Sequence, residues 1–306
     1  MEIYLAHTQG FCAGVARAID IVNRVYEKYG VPLFVFHEIV HNTKVVENFK
    51  KKGIQFVDDL ADVPDGARII FSAHGVSPQV IEAAKEKNLV FFDATCPLVR
   101  SVHNRAKEFS RNNIDVVLIG HKNHQEVIGT KGYIDPSFLH IIKNEDEIEQ
   151  LSIDAFKKVG YVTQTTLSLD DTKNLIVKLK ERFSGLIDTK VDDVCYATQN
   201  RQNAIKELCG VCDVIIICGS ANSSNSNRLK ELAEKCGVES YLIDSADEIN
   251  LSMLKNKKKI GISSGASVPE SVVLDVIDKL KMECSISKIH VSESPEKDIS
   301  FSTLEI

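Results

Sequence analysis

The sequence predicts an α/β protein of three similar lobes, each with a small parallel sheet, arranged with pseudo-threefold symmetry around a central cluster and cavity. Three observations carry this expectation. Short apolar runs alternate with amphipathic stretches of helical period along the chain. The order of these parts repeats three times. Cys12, Cys96 and Cys195 divide the chain into near-equal thirds, and each stands where a strand pattern gives way to a helix.

In the first third, the helix pattern after Cys12 (Ala16, Ile19, Val22, Val25, Tyr26) leads to a strand over 33–36 and the polar turn HEIVHN. A helix, a strand and the acidic turn FVDDLADV follow. A strand over 68–71, the polar turn SAHGVS, a helix and a strand over 89–92 then deliver the chain to Cys96. The second third copies this order. A strand over 116–119 runs into GHKNHQE, IIKNEDEI matches the acidic turn, and a strand over 159–162 meets TQTTLS before Cys195. The last third has a strand over 214–218, the turn SANSSNSN, the acidic turn LIDSADEI and a strand over 260–262 running into SGASVP. After its final helix, over 269–280, no further strand is predicted, so the N-terminal strand is expected to fill that slot. The lobes are expected at 1–96, 97–194 and 195–282, with a C-terminal tail over 283–306. Ligands of parallel α/β sheets gather beyond the carboxyl ends of the strands. Six polar turns stand at such ends, two per lobe, and packing the lobes about one axis would place them around the three cysteines.

Composition narrows the function classes. At 306 residues, 43% hydrophobic and 26% charged, the chain reads as a soluble globular protein with room for more than one core. A net charge of −6 with no long basic run argues against a nucleic-acid surface. The triplet Lys257-Lys258-Lys259 reads as a solvated turn before a strand. No apolar run approaches a membrane span, and the chain opens directly on strand-like sequence rather than on a secretory signal. A cytoplasmic location is expected, where the eight cysteines stay reduced.

A helix start stabilises a thiolate, and three thiolates brought to one point bind metal. Cys12 lies in GFCAGVARAI, where flanking glycines permit close backbone approach to a ligand. Cys96 lies in DATCPLV, with Pro97 suited to a first helical turn, and Cys195 lies in DDVCYATQNRQ. Such a set suits a zinc with one open position, or a cubane cluster with one iron lacking a protein ligand. Zinc ligands usually come in closely spaced pairs, and these are dozens of residues apart. The pair Cys209-Gly-Val-Cys212 looks like a redox or zinc motif, but it closes a helix instead of opening one. Gly210 is therefore expected as the helix C-cap and both cysteines as packing. Cys218, at a strand end, is expected near the cavity; Cys236 and Cys284 carry no signal.

The polar turns suggest an anion. His41, His74 and His124 recur at strand ends, with His37 and His121 as weaker candidates. Ser223, Ser224 and Asn225 lie in a Ser/Asn-rich helix start, and Ser267 in a similar turn; such N-termini bind phosphate with few Lys or Arg residues. Helix capping explains one or two of these residues per turn, but hardly the whole run over 222–226. Glu126, beside His124, is with Glu38 the only carboxylate next to a candidate phosphate ligand in these turns. A Glu126 pointing inward would donate protons. Thr165 and Thr166 would orient a substrate hydroxyl or relay that proton, whereas Asp170 and Asp171 read as cap and first-turn acids.

GFCAGV, EIVHN, AHGV, DATCPLV, IGHKNHQEV, TQTTLS, CYATQNRQ, NSSNSNRL and GASVP, in this order from about residue 10 to residue 282, resemble the 4-hydroxy-3-methylbut-2-enyl diphosphate reductases of the non-mevalonate isoprenoid pathway. The resemblance implies an oxygen-sensitive 4Fe–4S cluster on Cys12, Cys96 and Cys195 with one open iron site. It further implies a diphosphate held by His41, His74, His124, Ser223, Ser224, Asn225 and Ser267, with Glu126 supplying protons and Thr165 positioning the substrate hydroxyl. The implied reaction is a two-electron, two-proton reductive dehydroxylation to isopentenyl and dimethylallyl diphosphate, with electrons from a ferredoxin or flavodoxin. Ser263-Ser264 departs from the expected Thr-Ala, the extra cysteines lie outside the family's pattern, and the tail beyond Met282 matches nothing. A non-redox iron–sulfur hydro-lyase would need carboxylate-binding arginines, and Arg228 lies past the anion turn. An iron–sulfur sensor would need an output surface, and a zinc hydrolase fits the cysteines alone.

Overall fold

The computed structural model describes residues 1–187 and 193–306. The chain begins with β1 (Glu2–Leu5), α1 (Ala13–Tyr29), β2 (Phe34–Phe36), α2 (Thr43–Lys51), β3 (Gln55–Val57), β4 (Arg68–Phe71), α3 (Pro78–Glu86) and β5 (Val90–Asp93). It continues with α4 (Pro97–Arg111), β6 (Asp115–Ile119), α5 (Gln125–Lys131), β7 (Leu139–Ile142), α6 (Glu145–Glu149), β8 (Lys158–Thr163), α7 (Leu169–Arg182) and β9 (Gly185–Leu186). Then come α8 (Tyr196–Cys209), β10 (Val214–Cys218), α9 (Ser224–Lys235), β11 (Glu239–Ile243), β12 (Lys259–Ser264), α10 (Glu270–Glu283) and β13 (Lys288–His290). The seven strands predicted with bounds, now β2, β4, β5, β6, β8, β10 and β12, fall within two residues of those bounds, the usual uncertainty of element ends.

Local chemistry explains the boundaries. Ser77 caps α3 ahead of Pro78. Asn88 and Asn113, with φ of 52°, end the turns after α3 and α4 in the left-handed region that asparagine tolerates. β2, β6 and β10, interior to their sheets, are short, largely apolar and buried along their whole length, as strands covered on both faces must be.

All ladders among the described residues are parallel, in three sheets: β3-β2-β4-β5, β7-β6-β8-β9 and β11-β10-β12-β1-β13. In the third sheet β1 holds the place that β5 and β9 hold in the other two. The expectation that no strand follows the last helix is corrected by β13, which pairs with β1. Its Lys-Ile-His sequence offers one aliphatic residue and so no periodic signal; stacking of His290 on Tyr4 at 4.1 Å secures it at the sheet edge.

The chain forms two compact units: Met1–Ala16, Val40–Lys51 and Tyr196–Phe301, then Arg17–Ile39, Lys52–Cys195 and Ser302–Ile306. In the first, the alternation along β10 sends Val214, Ile216 and Cys218 towards α10, and Ile215 and Ile217 towards α8 and α9. In the second, Val117 and Ile119 of β6 pack with Leu175 and Leu179 of α7, while Val116 and Leu118 pack with Val102 and Ala106 of α4. Phe71 and Ile69 anchor the sheet of β2–β5. Each fully buried aliphatic side chain stabilises by about 1.5–3 kcal/mol relative to exposure, so these cores hold the strand ends, and hence the polar turns, in place.

Candidate active site

Cys12, His41, Ser223, Ser224, Asn225 and Ser267 belong to the first unit; His74, Cys96, His124, Glu126, Thr165 and Cys195 belong to the second.

Each cysteine immediately precedes a helix, and each is tied in the same way. The amide of Cys12 donates to the Ala266 carbonyl at 3.0 Å, that of Cys96 to Ala73 at 3.0 Å, and that of Cys195 to Thr165 at 3.1 Å. Every acceptor lies two residues beyond a strand end, after β12, β4 and β8 respectively. Cys96 occupies the N-cap of α4, yet its thiol does not cap the helix. Burial pushes the Cys12 thiol up; the Arg201 guanidinium and the backbone N–H groups of Val15 and Gly14 oppose this.

In the first unit, the Ser267 hydroxyl donates to the His41 carbonyl at 2.8 Å, joining the turn after β12 to the one before α2. Ser223 caps α9, its hydroxyl accepting from the Ser226 amide at 3.3 Å. Ser224 opens the helix proper. Asn225 is buried, and neither its Oδ1 nor its Nδ2 has a partner among the described residues. A buried unpaired polar group costs about 1–3 kcal/mol, which a ligand reaching that amide would offset. Two contacts went unseen in the sequence. Ser220 accepts from the Thr43 amide at 3.1 Å, and Ser264, at the departure from Thr-Ala, accepts from the Gly10 amide at 3.0 Å. Ser226 fits between the turns so tightly that a Cβ on Gly219 or Gly265 would lie 2.3 or 2.1 Å from its hydroxyl.

In the second unit, Glu126 and Thr165 are both buried and bound together. The Thr165 amide donates to Glu126 Oε2 at 2.8 Å, and its hydroxyl lies 3.0 Å from both carboxylate oxygens. The adjacency of β6 and β8 brings their loops side by side. His124 caps α5, with Nδ1 accepting the Glu126 amide at 3.1 Å, so a neutral ring carries its proton on Nε2. The rings of His74 and His124 meet edge to face at 6.1 Å. The His74 turn needs glycine at 75: its φ is +77°, and a Cβ would lie 2.5 Å from the His103 ring. Gln164 supports the His121 turn, accepting its amide at 3.1 Å.

The eight cysteines form no disulfide. Cys209 ends α8 and Cys212 is buried in the core beneath β10, its thiol pushed up to about 12 by that burial. Cys218, expected near a cavity, instead packs fully buried in the opposite core; its position at the end of β10 turns the side chain to α10.

Among the described residues no three His, Cys, Asp or Glu side chains gather as ligands of one metal ion. Three cysteines outside any disulfide, each at a helix start and each with its backbone tied down, supply the thiol donors that an iron–sulfur group takes. No helix among the described residues is long and apolar enough to cross a membrane.

A family model described as LytB protein matches residues 3–281. The chain is 48% identical over 305 residues to the 4-hydroxy-3-methylbut-2-enyl diphosphate reductase of Saccharophagus degradans, covering 99% of this chain and 98% of that one. It is 50% identical over 284 residues to the enzyme of the same name from Alcanivorax borkumensis, covering 92% and 91%. The solved structure of the E-1-hydroxy-2-methyl-but-2-enyl-4-diphosphate reductase from Plasmodium falciparum aligns with a TM-score of 0.95 at 39% identity, over 99% of this chain and 95% of that one. A second structure, described as the (E)-4-hydroxy-3-methyl-but-2-enyl diphosphate reductase that ends the non-mevalonate pathway, aligns at 0.66 with 30% identity, over 92% and 99%.

Proposed function

This chain belongs to the LytB protein family, and from that membership we propose that it reductively dehydroxylates 4-hydroxy-3-methylbut-2-enyl diphosphate to isopentenyl and dimethylallyl diphosphate. Cys12, Cys96 and Cys195 hold a 4Fe–4S cluster with one open iron. When bound, the cluster supplies electrons singly and Lewis acidity at that iron. Two electrons, delivered by a ferredoxin or flavodoxin, and two protons cleave the C–O bond: one proton leaves with the hydroxyl as water and one goes to the allylic carbon.

The protein's own groups do the rest. His41, His74, His124, Ser223, Ser224, Asn225 and Ser267 hold the diphosphate through N–H and O–H groups instead of Lys and Arg. Thr165 orients the substrate hydroxyl. Glu126 supplies the proton that offsets negative charge developing on the departing oxygen. The three lobes at 1–96, 97–194 and 195–282, with β1 assigned to the third, form the frame; the shared strand order of the three sheets supports that division.

The observation that carries the reading is the buried Glu126–Thr165 pair, whose Thr165 carbonyl also receives the Cys195 amide. The proposed proton donor and a proposed ligand thus both bond to Thr165, the hydroxyl handle. Anaerobic incubation of iron-loaded protein with the diphosphate substrate and an artificial one-electron donor should yield both products. A colourless, zinc-loaded preparation, or substrate returned unchanged, would contradict the proposal.

A further inference from the structure

Buried arginines are costly to place, because the guanidinium loses its water and must recover the loss in hydrogen bonds. This chain places three basic side chains in one repeated relation to its cysteines. Arg17 lies on α1, the helix that follows Cys12; its Nη1 donates to the Thr95 carbonyl at 3.2 Å, one residue before Cys96. Arg105 lies on α4, the helix that follows Cys96; it forms an ion pair with Asp193, two residues before Cys195. The other Asp193 oxygen accepts the Thr163 amide at 3.0 Å, so the carboxylate is fixed from both sides. Arg201 lies on α8, the helix that follows Cys195; its Nη2 donates to the Gly10 carbonyl at 2.8 Å, two residues before Cys12. In sequence the relation closes on itself.

Burial and the tail add weight. Arg201 is 0% exposed and Arg17 7%. The C-terminal tail supplies partners to both: Glu296 accepts from Arg201 Nη1 at 3.1 Å, and the Ser302 carbonyl accepts from Arg17 Nε at 2.8 Å. Each planar fork therefore has one arm on a cysteine loop and another on the tail.

We propose that Arg17, Arg105 and Arg201 are positioning residues for the cysteine ligands, each carried on the helix that follows one cysteine and each fixing the loop that presents the next. That the cysteines are cluster ligands rests on the function proposed above; the holding of the loops does not.

Rates of iodoacetamide labelling test this, read cysteine by cysteine by peptide mass spectrometry on the full chain after anaerobic removal of iron. Arg17→Met is expected to raise the rate at Cys96, Arg105→Met at Cys195 and Arg201→Met at Cys12, each by about threefold or more through local opening. An equal rise at all three, a rise at the cysteine preceding the arginine's own helix, or no rise would overturn the proposal. Glu296→Gln, a milder change in the tail, should raise labelling at Cys12 alone, by about twofold; an unselective response sinks the role of Arg201.

The iron-loaded protein gives a second readout. Losing the Arg201 charge should lower the cluster's midpoint potential, and losing the Glu296 charge should raise it, because an added electron is favoured by nearby positive charge. Shifts of the same sign would reject the assignment. Selective labelling in a protein that binds no iron would leave the arginines standing and remove the proposed function; iron binding with unselective labelling would do the reverse.

Discussion

Thr165 gives all three of its hydrogen-bonding groups to the candidate site: amide and hydroxyl to Glu126, carbonyl to the amide of Cys195. Glu126→Gln keeps an acceptor for the Thr165 amide but removes the transferable proton. Turnover should fall by about 10²–10⁴-fold, with iron content and visible spectrum unchanged. Thr165→Val keeps the amide contact and loses the hydroxyl, so the fall should be smaller, roughly tenfold. Steady-state rates with an artificial donor measure both.

Asn225 separates binding from folding. Because neither side-chain atom has a partner among the described residues, Asn225→Ala removes two unmatched polar atoms along with some packing. The net change in unfolding free energy should stay within about 1 kcal/mol, while KM for the diphosphate rises. A large loss of stability in urea titrations would show that the amide is structural.

His103 makes stability depend on pH. It is buried under the His74 turn and stacked on Tyr133, with ring centroids 4.4 Å apart. Burial lowers its pKa from 6.5 to about 4, with Asp93 opposing the shift and Arg100 adding to it. Between those values the unfolded chain holds the extra proton. This contribution is therefore full above pH 6.5 and is lost as pH falls towards 4, by roughly 3 kcal/mol. In urea titrations at pH 7.5 and 4.5, His103→Gln should lose less stability than the parent by about that amount.

Cys209 and Cys212 should prove irrelevant to iron. Replacing both with serine leaves iron per chain unchanged and costs about 1–3 kcal/mol for the hydroxyl placed in the core beneath β10. Iron analysis beside thermal melting checks both parts; loss of iron would return the pair to the metal question.

The three sheets and the residues of the polar turns were legible because they depend on local order: a run such as VIIIC ends in a turn wherever it occurs. Glu126 and Thr165 were each nameable from their turns. Their bond was not, since it follows from β6 lying beside β8, a neighbour relation that hydrophobic period does not encode. Arg17, Arg105 and Arg201 were invisible for a related reason. On a helix an arginine reads as a solvated charge until its acceptor is known, and these acceptors include backbone carbonyls of distant loops. Cys218 misled because a strand's last residue faces either side with equal ease, and its side chain turned into the core. Beyond Met282, the single Ile289 of β13 gave alternation nothing to show.

The pairing of Glu2 with Lys259 imposes an order on synthesis. The sheets of β2–β5 and β6–β9 are made from strands that leave the ribosome in succession, so each can assemble as soon as it has emerged. β1 is translated first and yet must wait, its Ile3 unsheltered, until β12 arrives. The loop carrying Cys12 is thus the last of the three to acquire its carbonyl anchor, and iron delivered to a nascent chain would meet a fixed Cys96 well before a fixed Cys12.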